Sequence, residues 1–189
     1  MSAPADLDHP CGEHFVYRDL IECGETWARL HAAGTAGTPV QPFDNVPRAA
    51  ATFAAMRALC ATVLDPLARR FGRLELTYAF ASAQLTRHIA GRIHPPLDQH
   101  AGHELGRAGR PVCPRLGLAA DVLVPGVDGR EVAGWIVENT AFDRLYFYAP
   151  DRPIHVSAGP DASRQIAHMR LGPSGRRVPR VVTAGFFRE

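Results

Sequence analysis

An α+β domain with a largely antiparallel sheet is predicted by the order in which hydrophobic spacing changes along the chain. Helical patterns come first, short strand-like runs follow, and one helical stretch lies among the strands. The 189 residues suit one domain with one core. Within it, 1–46 is expected to be an N-terminal extension packing on a domain formed by 47–189.

Residues 1–14 carry Pro, Asp and His without periodicity. From Phe15 to Leu30, apolar Phe15, Leu20, Ile21 and Trp27 among charges suggest an irregular helix. Residues 31–46 are rich in Gly, Thr and Pro and read as a loop. Arg48 to Arg70 is the clearest helix, with Phe53, Met56, Cys60, Val63, Leu64 and Leu67 at three- and four-residue steps. Gly72 is its stop signal. Leu74 to Phe80 alternates as a strand. Ser82 is placed to cap a short helix through Ile93. After Pro95 and Pro96, Asp98 is placed to cap another, running to about Ala108.

Leu118 to Val124 reads as a buried strand closed by Pro125 and Gly126, and Arg130 to Asn139 as a helix turning Val132, Trp135 and Ile136 inward. Arg144 to Tyr148 and Ile154 to Ser157 are strands joined by a Pro-Asp-Arg-Pro turn. Ile166 to Leu171 and Val178 to Thr183 form a hairpin around Gly172-Pro-Ser-Gly175.

Composition narrows the chemistry. The chain is 46% hydrophobic and 21% charged with a net charge of +2, so bulk electrostatics do not favour a nucleic-acid binder. All 21 basic side chains are arginine. That excludes a P-loop lysine, a Schiff-base lysine and a lysine general base. Cys11, Cys23, Cys60 and Cys113 show no Cys-x-x-Cys spacing. The opening Met-Ser-Ala-Pro-Ala-Asp lacks a signal-peptide pattern, and no apolar run approaches the ~20 residues that span a bilayer. The expectation is a cytoplasmic protein with reduced thiols and no membrane partner.

Three stretches offer metal-ligand chemistry: Asp98-Gln-His-Ala-Gly-His-Glu104, Gly117-Leu-Ala-Ala-Asp121, and Arg152-Pro-Ile-His155. Two imidazoles and one carboxylate, with a fourth position left for water, suit a catalytic zinc. Asp121 stands in an otherwise apolar run, where a carboxylate is costly unless paired or bound to metal. Beside these stretches, Arg107, Arg110 and Arg115 form a basic rim suited to an anionic substrate. Arg176, Arg177, Arg180 and Arg188 read as a solvated hairpin face.

These stretches resemble the metallopeptidases of the D-alanyl-D-alanine carboxypeptidase and dipeptidase type, which share their fold with the Hedgehog signalling domain. That family carries Ser-x-His-x-x-Gly-x-Ala-x-Asp and, later, Glu-x-x-His. Gly117 to Asp121 matches Gly-x-Ala-x-Asp, Ile154-His155-Val156 looks like the strand of the last ligand, and Leu76 to Ser82 resembles the strand before the family's substrate-binding segment. The resemblance covers about residues 70–160. It implies zinc held by His100, Asp121 and His155, with His103 the alternate first ligand, and hydrolysis of a small carboxylate-bearing peptide. If Asp98 caps a helix, His100 and His103 share a face of it.

The departures are specific. Pro114 stands where the family's first ligand is expected, and Gln99-His100 looks like that segment displaced upstream. Arg152 replaces the general base, and arginine cannot accept a proton at neutral pH. Asp151 and Glu104 are the candidates to take over. The substrate-carboxylate arginine expected near Ala81 is absent, with Arg87, Arg92, Arg115 and Arg152 as replacements. These losses leave two alternatives: a non-catalytic domain binding an anion or, less favoured, nucleic acid, and a metal-dependent hydrolase of a phosphorylated or nucleotide substrate.

Overall fold

The computed structural model describes residues 6–33, 44–89 and 95–188. Its centre is a helical rod formed by α3 (Ala50–Leu59), a π-helical turn (Cys60–Leu64) and α4 (Asp65–Phe71). The spacing of Phe53, Met56, Leu59, Cys60, Val63, Leu64 and Leu67 puts all seven in the core. The whole rod is long and apolar enough to cross a membrane by length and composition alone. Here that apolar surface packs against the sheet, through contacts of α3 and the π turn with the strands. Gly72, at φ +81°, ends the rod.

Six strands make one mixed sheet: β1 (Glu75–Tyr78), β2 (Leu118–Leu123), β3 (Arg144–Phe147), β4 (Ile154–Ala158), β5 (Gln165–Leu171) and β6 (Arg177–Val182). Their order is β1-β2-β4-β3-β5-β6, antiparallel throughout except for the parallel pair β3–β5. Side chains alternate between faces with a period of two. Leu118, Ala120, Val122, Leu145, Phe147, Ile154, Val156, Ala158 and Ile166 all enter the core. Asp121, Tyr146, His155 and Ser157 alternate with them and occupy the opposite face. Helix α7 (Gly129–Asn139), capped by the Asp128 carboxylate accepting from Arg130 N, buries Val132, Ala133, Ile136 and Val137 in the core. The architecture is α+β, as the order of elements predicts.

The N-terminal stretch contributes Cys11, Tyr17, Leu20 and Ile21 to the same core, so no break in packing falls at residue 46. Asn45 ties the two parts together, donating to Ile21 O and Phe80 O and accepting from Ser82 N. The helix expected from Phe15 to Leu30 is two, α1 (Tyr17–Ile21) and α2 (Glu25–Ala33). They separate at Gly24, whose φ of +87° and 2.2 Å approach of a Cβ to Thr77 O admit only glycine. The loop expected at 31–46 lies mostly outside the described residues.

The helix expected from Ser82 is short, α5 (Ala83–Thr86), with the Ser82 hydroxyl accepting from Leu85 N. The helix expected from Asp98 to Ala108 does not form. Asp98 instead ends α6 (Pro95–Asp98), and Gln99 turns the chain at φ +56°. Gly102 and Gly109, at φ +59° and +70°, keep the following segment in turns. Glycine is the poorest helix former after proline, and here it lets the backbone wrap across the sheet.

Gly117 also stands where only glycine fits. Its φ is +73° and a Cβ would lie 2.0 Å from Ala158 O on β4. Gly117→Ala is therefore expected to destabilise the fold by well over ~1 kcal/mol in urea unfolding. Gly175→Ala, with the same φ sign but open space, is expected to cost only about 1 kcal/mol.

Candidate metal centre

Strand register brings the first two residues together. Asp121 on β2 lies directly opposite His155 on β4, and His155 Nδ1 stands 2.9 Å from Asp121 Oδ1. On the other side of β4, Tyr146 pairs with His155, and their rings stack with centroids 4.6 Å apart. His155 thus has its carboxylate partner and its aromatic support from neighbouring strands.

His100 arrives from the segment that crosses this face. Its Nδ1 lies 2.7 Å from Ala79 O. A carbonyl only accepts, so Nδ1 carries a proton; Nε2 stands 3.4 Å from Asp121 Oδ1 and holds the lone pair whenever the ring is neutral. Ala81 N donates to His100 O, and the Tyr78 ring packs against the imidazole. The strained backbone at Gln99 is held by its own side chain, which donates to Leu116 O and Asp143 Oδ2 and accepts from the Ser157 hydroxyl. One ligand atom each from His100, Asp121 and His155 lies within 4.8 Å of the others.

The two imidazoles are buried, while the Asp121 side chain keeps 27% of its surface. It faces a cleft of about 950 Å³, lined also by Tyr78, Tyr148, Arg152, Arg177, Glu75 and the Glu22–Glu25 stretch. Burial opposes charge on Asp121, but the facing imidazoles hold its carboxyl well below the usual range. Burial also opposes charge on His100, yet the Asp121 carboxylate raises its pKa on balance. His155 goes the other way: burial, with like charge from His100, lowers its pKa despite Asp121. His155 Nε2 is buried without a hydrogen-bond partner among the described residues.

The other candidate residues fall elsewhere. His103 Nε2 accepts from Gly117 N, so that ring positions the glycine turn leading into β2. Glu104 accepts from Arg48 N, Ala49 N and the Thr52 hydroxyl, closing the first turn of α3. Asp151 is exposed in the β3–β4 turn and does not line the cleft. Arg115 donates to Leu97 O and the Tyr146 hydroxyl, bracing the crossing segment against the sheet. Arg87 is exposed and off the cleft, whereas Arg152 lines it. Arg92 lies outside the described residues. The Cys113 thiol donates to Pro96 O away from the cluster. Sequence reasoning passed over Glu75, Tyr148 and Arg177 as cleft residues; strand alternation places Tyr148 beside Tyr146, but nothing local marks Arg177.

No family profile, curated protein or solved structure matches this chain.

The shifts give a test in the metal-free protein. A His100 pKa raised above its ordinary 6.5 contributes stability that is complete below about pH 6.5 and is lost as pH rises through the folded value. The depressed Asp121 pKa contributes stability that is present above about 3.8 and is lost as pH falls through the folded value. NMR titration is expected to find His100 titrating above 6.5 and His155 below it, with the His100 rise abolished in Asp121→Asn.

Proposed function

We propose that the cluster is a zinc site and that the protein is a hydrolase of a small, carboxylate-bearing peptide, a divergent relative of the Hedgehog and D-alanyl-D-alanine peptidase fold. The observation that carries this reading is the convergence of His100, Asp121 and His155 at the floor of an open cleft. The donor set fits the ion. Two imidazole nitrogens and one carboxylate oxygen leave a position open to the cleft, as catalytic zinc sites require. The fixed tautomer of His100 directs Nε2 at the site, and Ala79 O is the outer partner that such a ligand needs. Zinc held there by His100, Asp121 and His155 would supply Lewis acidity toward a substrate carbonyl and a bound water near neutral pH.

The chain's own residues bind and orient the substrate. Arg152 on the cleft wall pairs with the peptide carboxylate, and Arg177 on the neighbouring wall extends the same cationic surface. Tyr148, whose phenol is pushed up by burial and by Asp121, stays protonated and serves as a hydrogen-bond donor. With Glu104 committed to α3 and Asp151 off the cleft, proton transfer falls to a cleft carboxylate, and Glu75 is our candidate.

A second reading rests on Arg152. With arginine where the family places its base, the site would bind an anion, a carboxylate or a phosphate, without catalysing its hydrolysis.

Purified protein incubated with zinc is expected to hold one ion per chain by elemental analysis, and Asp121→Ala and His155→Ala to lose it while remaining folded. Metal-loaded protein is expected to cleave short peptides with free carboxylates. Glu75→Gln should lower kcat by ~10²-fold or more, and Arg152→Ala should chiefly raise KM. Metal binding without cleavage of any peptide would favour the binding reading. Wild-type protein that takes up no zinc would defeat the hydrolase reading and leave the anion-binding one.

A further inference from the structure

Away from the cleft, two cysteines from distant parts of the chain meet in the core. Cys11 Sγ and Cys60 Sγ lie 3.5 Å apart, both thiols reduced, with Cys11 at 4% exposure and Cys60 fully buried. Cys60 opens the π turn of the rod, and π turns recur at functional positions. Cys11 sits in a tight loop closed by the Pro10–Val16 bridge and by Cys11 N and Gly12 N donating to Phe15 O. That loop is already docked on the rod. The buried Asp65 carboxylate accepts from Glu13 N and His14 N. A Cβ on Gly12 would lie 2.7 Å from Cys60 Cβ, so the backbone closes directly over the second cysteine.

We propose that Cys11 and Cys60 are an oxidisable pair that forms a disulfide, fastening the N-terminal loop to the central rod. The sulfurs, 3.5 Å apart, must approach by roughly 1.5 Å to reach the ~2.05 Å of a disulfide bond. The oxidant is a hydroperoxide. Cys11, on the outer loop, attacks the peroxide O–O bond and loses its proton, giving a sulfenic acid and one water from hydrogen peroxide. Cys60 sulfur then displaces the hydroxyl from Cys11 sulfur, and the Cys60 proton leaves with it as a second water. Two thiols lose two electrons in all and the peroxide gains them. The adjacent Cys11 thiol and burial push the Cys60 thiol far above the ordinary range. Cys60 is the deeper of the two, so it reacts second, as the resolving partner, and the rate is set by opening of the loop.

The bond would act on the cleft from behind. The loop runs directly into α1, and the residues after α1, Glu22 and Cys23, form part of the cleft wall. Joining residues 11 and 60 closes a long loop of chain, which limits the unfolded state and holds that wall to the rod.

The experiment uses the full chain. Native protein is treated with hydrogen peroxide, denatured with iodoacetamide present, and digested with trypsin without reductant. The expected product joins peptide 1–18 to peptide 58–69, lighter than the two thiol peptides by two hydrogens. Oxidation is expected to raise Tm by several degrees in the wild type and not in Cys11→Ser, a variant that keeps Cys60 in the core. Recovery of both cysteines as separate alkylated thiols, at peroxide levels that oxidise an exposed control thiol, would overturn the proposal. So would a link from either residue to Cys23 or Cys113, or Cys11 recovered as a sulfinic acid with Cys60 unchanged.

Discussion

The antiparallel register of β2 on β4 is the constraint on which the site depends. It sets Asp121 against His155, and a slip of one residue by either strand would put the two on opposite faces, one of them in the apolar layer against the rod. Gly117 fixes that register at its start, because the backbone of β4 passes too close for any side chain. The hydrophobic period of β2 then places Leu118, Ala120 and Val122 inward and leaves Asp121 facing the cleft. A single pattern therefore serves both the core and the chemistry.

Placing His100 beside that pair requires a segment with little regular structure to hold its shape. It does so through a buried polar network. Gln99 spans from Leu116 O to Asp143 and Ser157, Asp143 in turn accepts from Ser163 N and Arg144, and Ser157 accepts from Arg144 N. These bonds pair most of the buried polar atoms they bring together, Arg144 Nε being without a partner among the described residues, and they hold the segment in one arrangement. The positive φ at Gln99 is the local cost of turning His100 back toward the sheet.

The strands and the long rod are legible in the sequence because their periods are long enough to read and because Gly72 and the Gly172–Gly175 turn mark their ends. Asp121 is legible as an odd carboxylate in an apolar strand, and His155 as a histidine in a short strand after a tight turn. What local pattern does not reveal is how side chains are spent. Glu104 and His103 lie beside His100 in sequence and look equally available, yet one closes a helix and the other receives a turn amide. The glycines at 102 and 109 were the available sign that 98–108 is no helix. The hairpin that carries Arg177 is legible, but the reach of this side chain to Tyr148 and the cleft depends on β5 joining β3 in parallel, a pairing of separate segments that no local window records.

The account turns on whether these three side chains share one metal ion. Crystals grown with zinc and measured at the zinc absorption edge test this most directly. The expected result is one anomalous peak at ~2.0–2.2 Å from a nitrogen of His100, an oxygen of Asp121 and a nitrogen of His155, with an open position toward the cleft. A peak elsewhere, or none at full zinc loading with His155 still against Asp121, would contradict it. The cluster would then be a buried charge network rather than a metal centre.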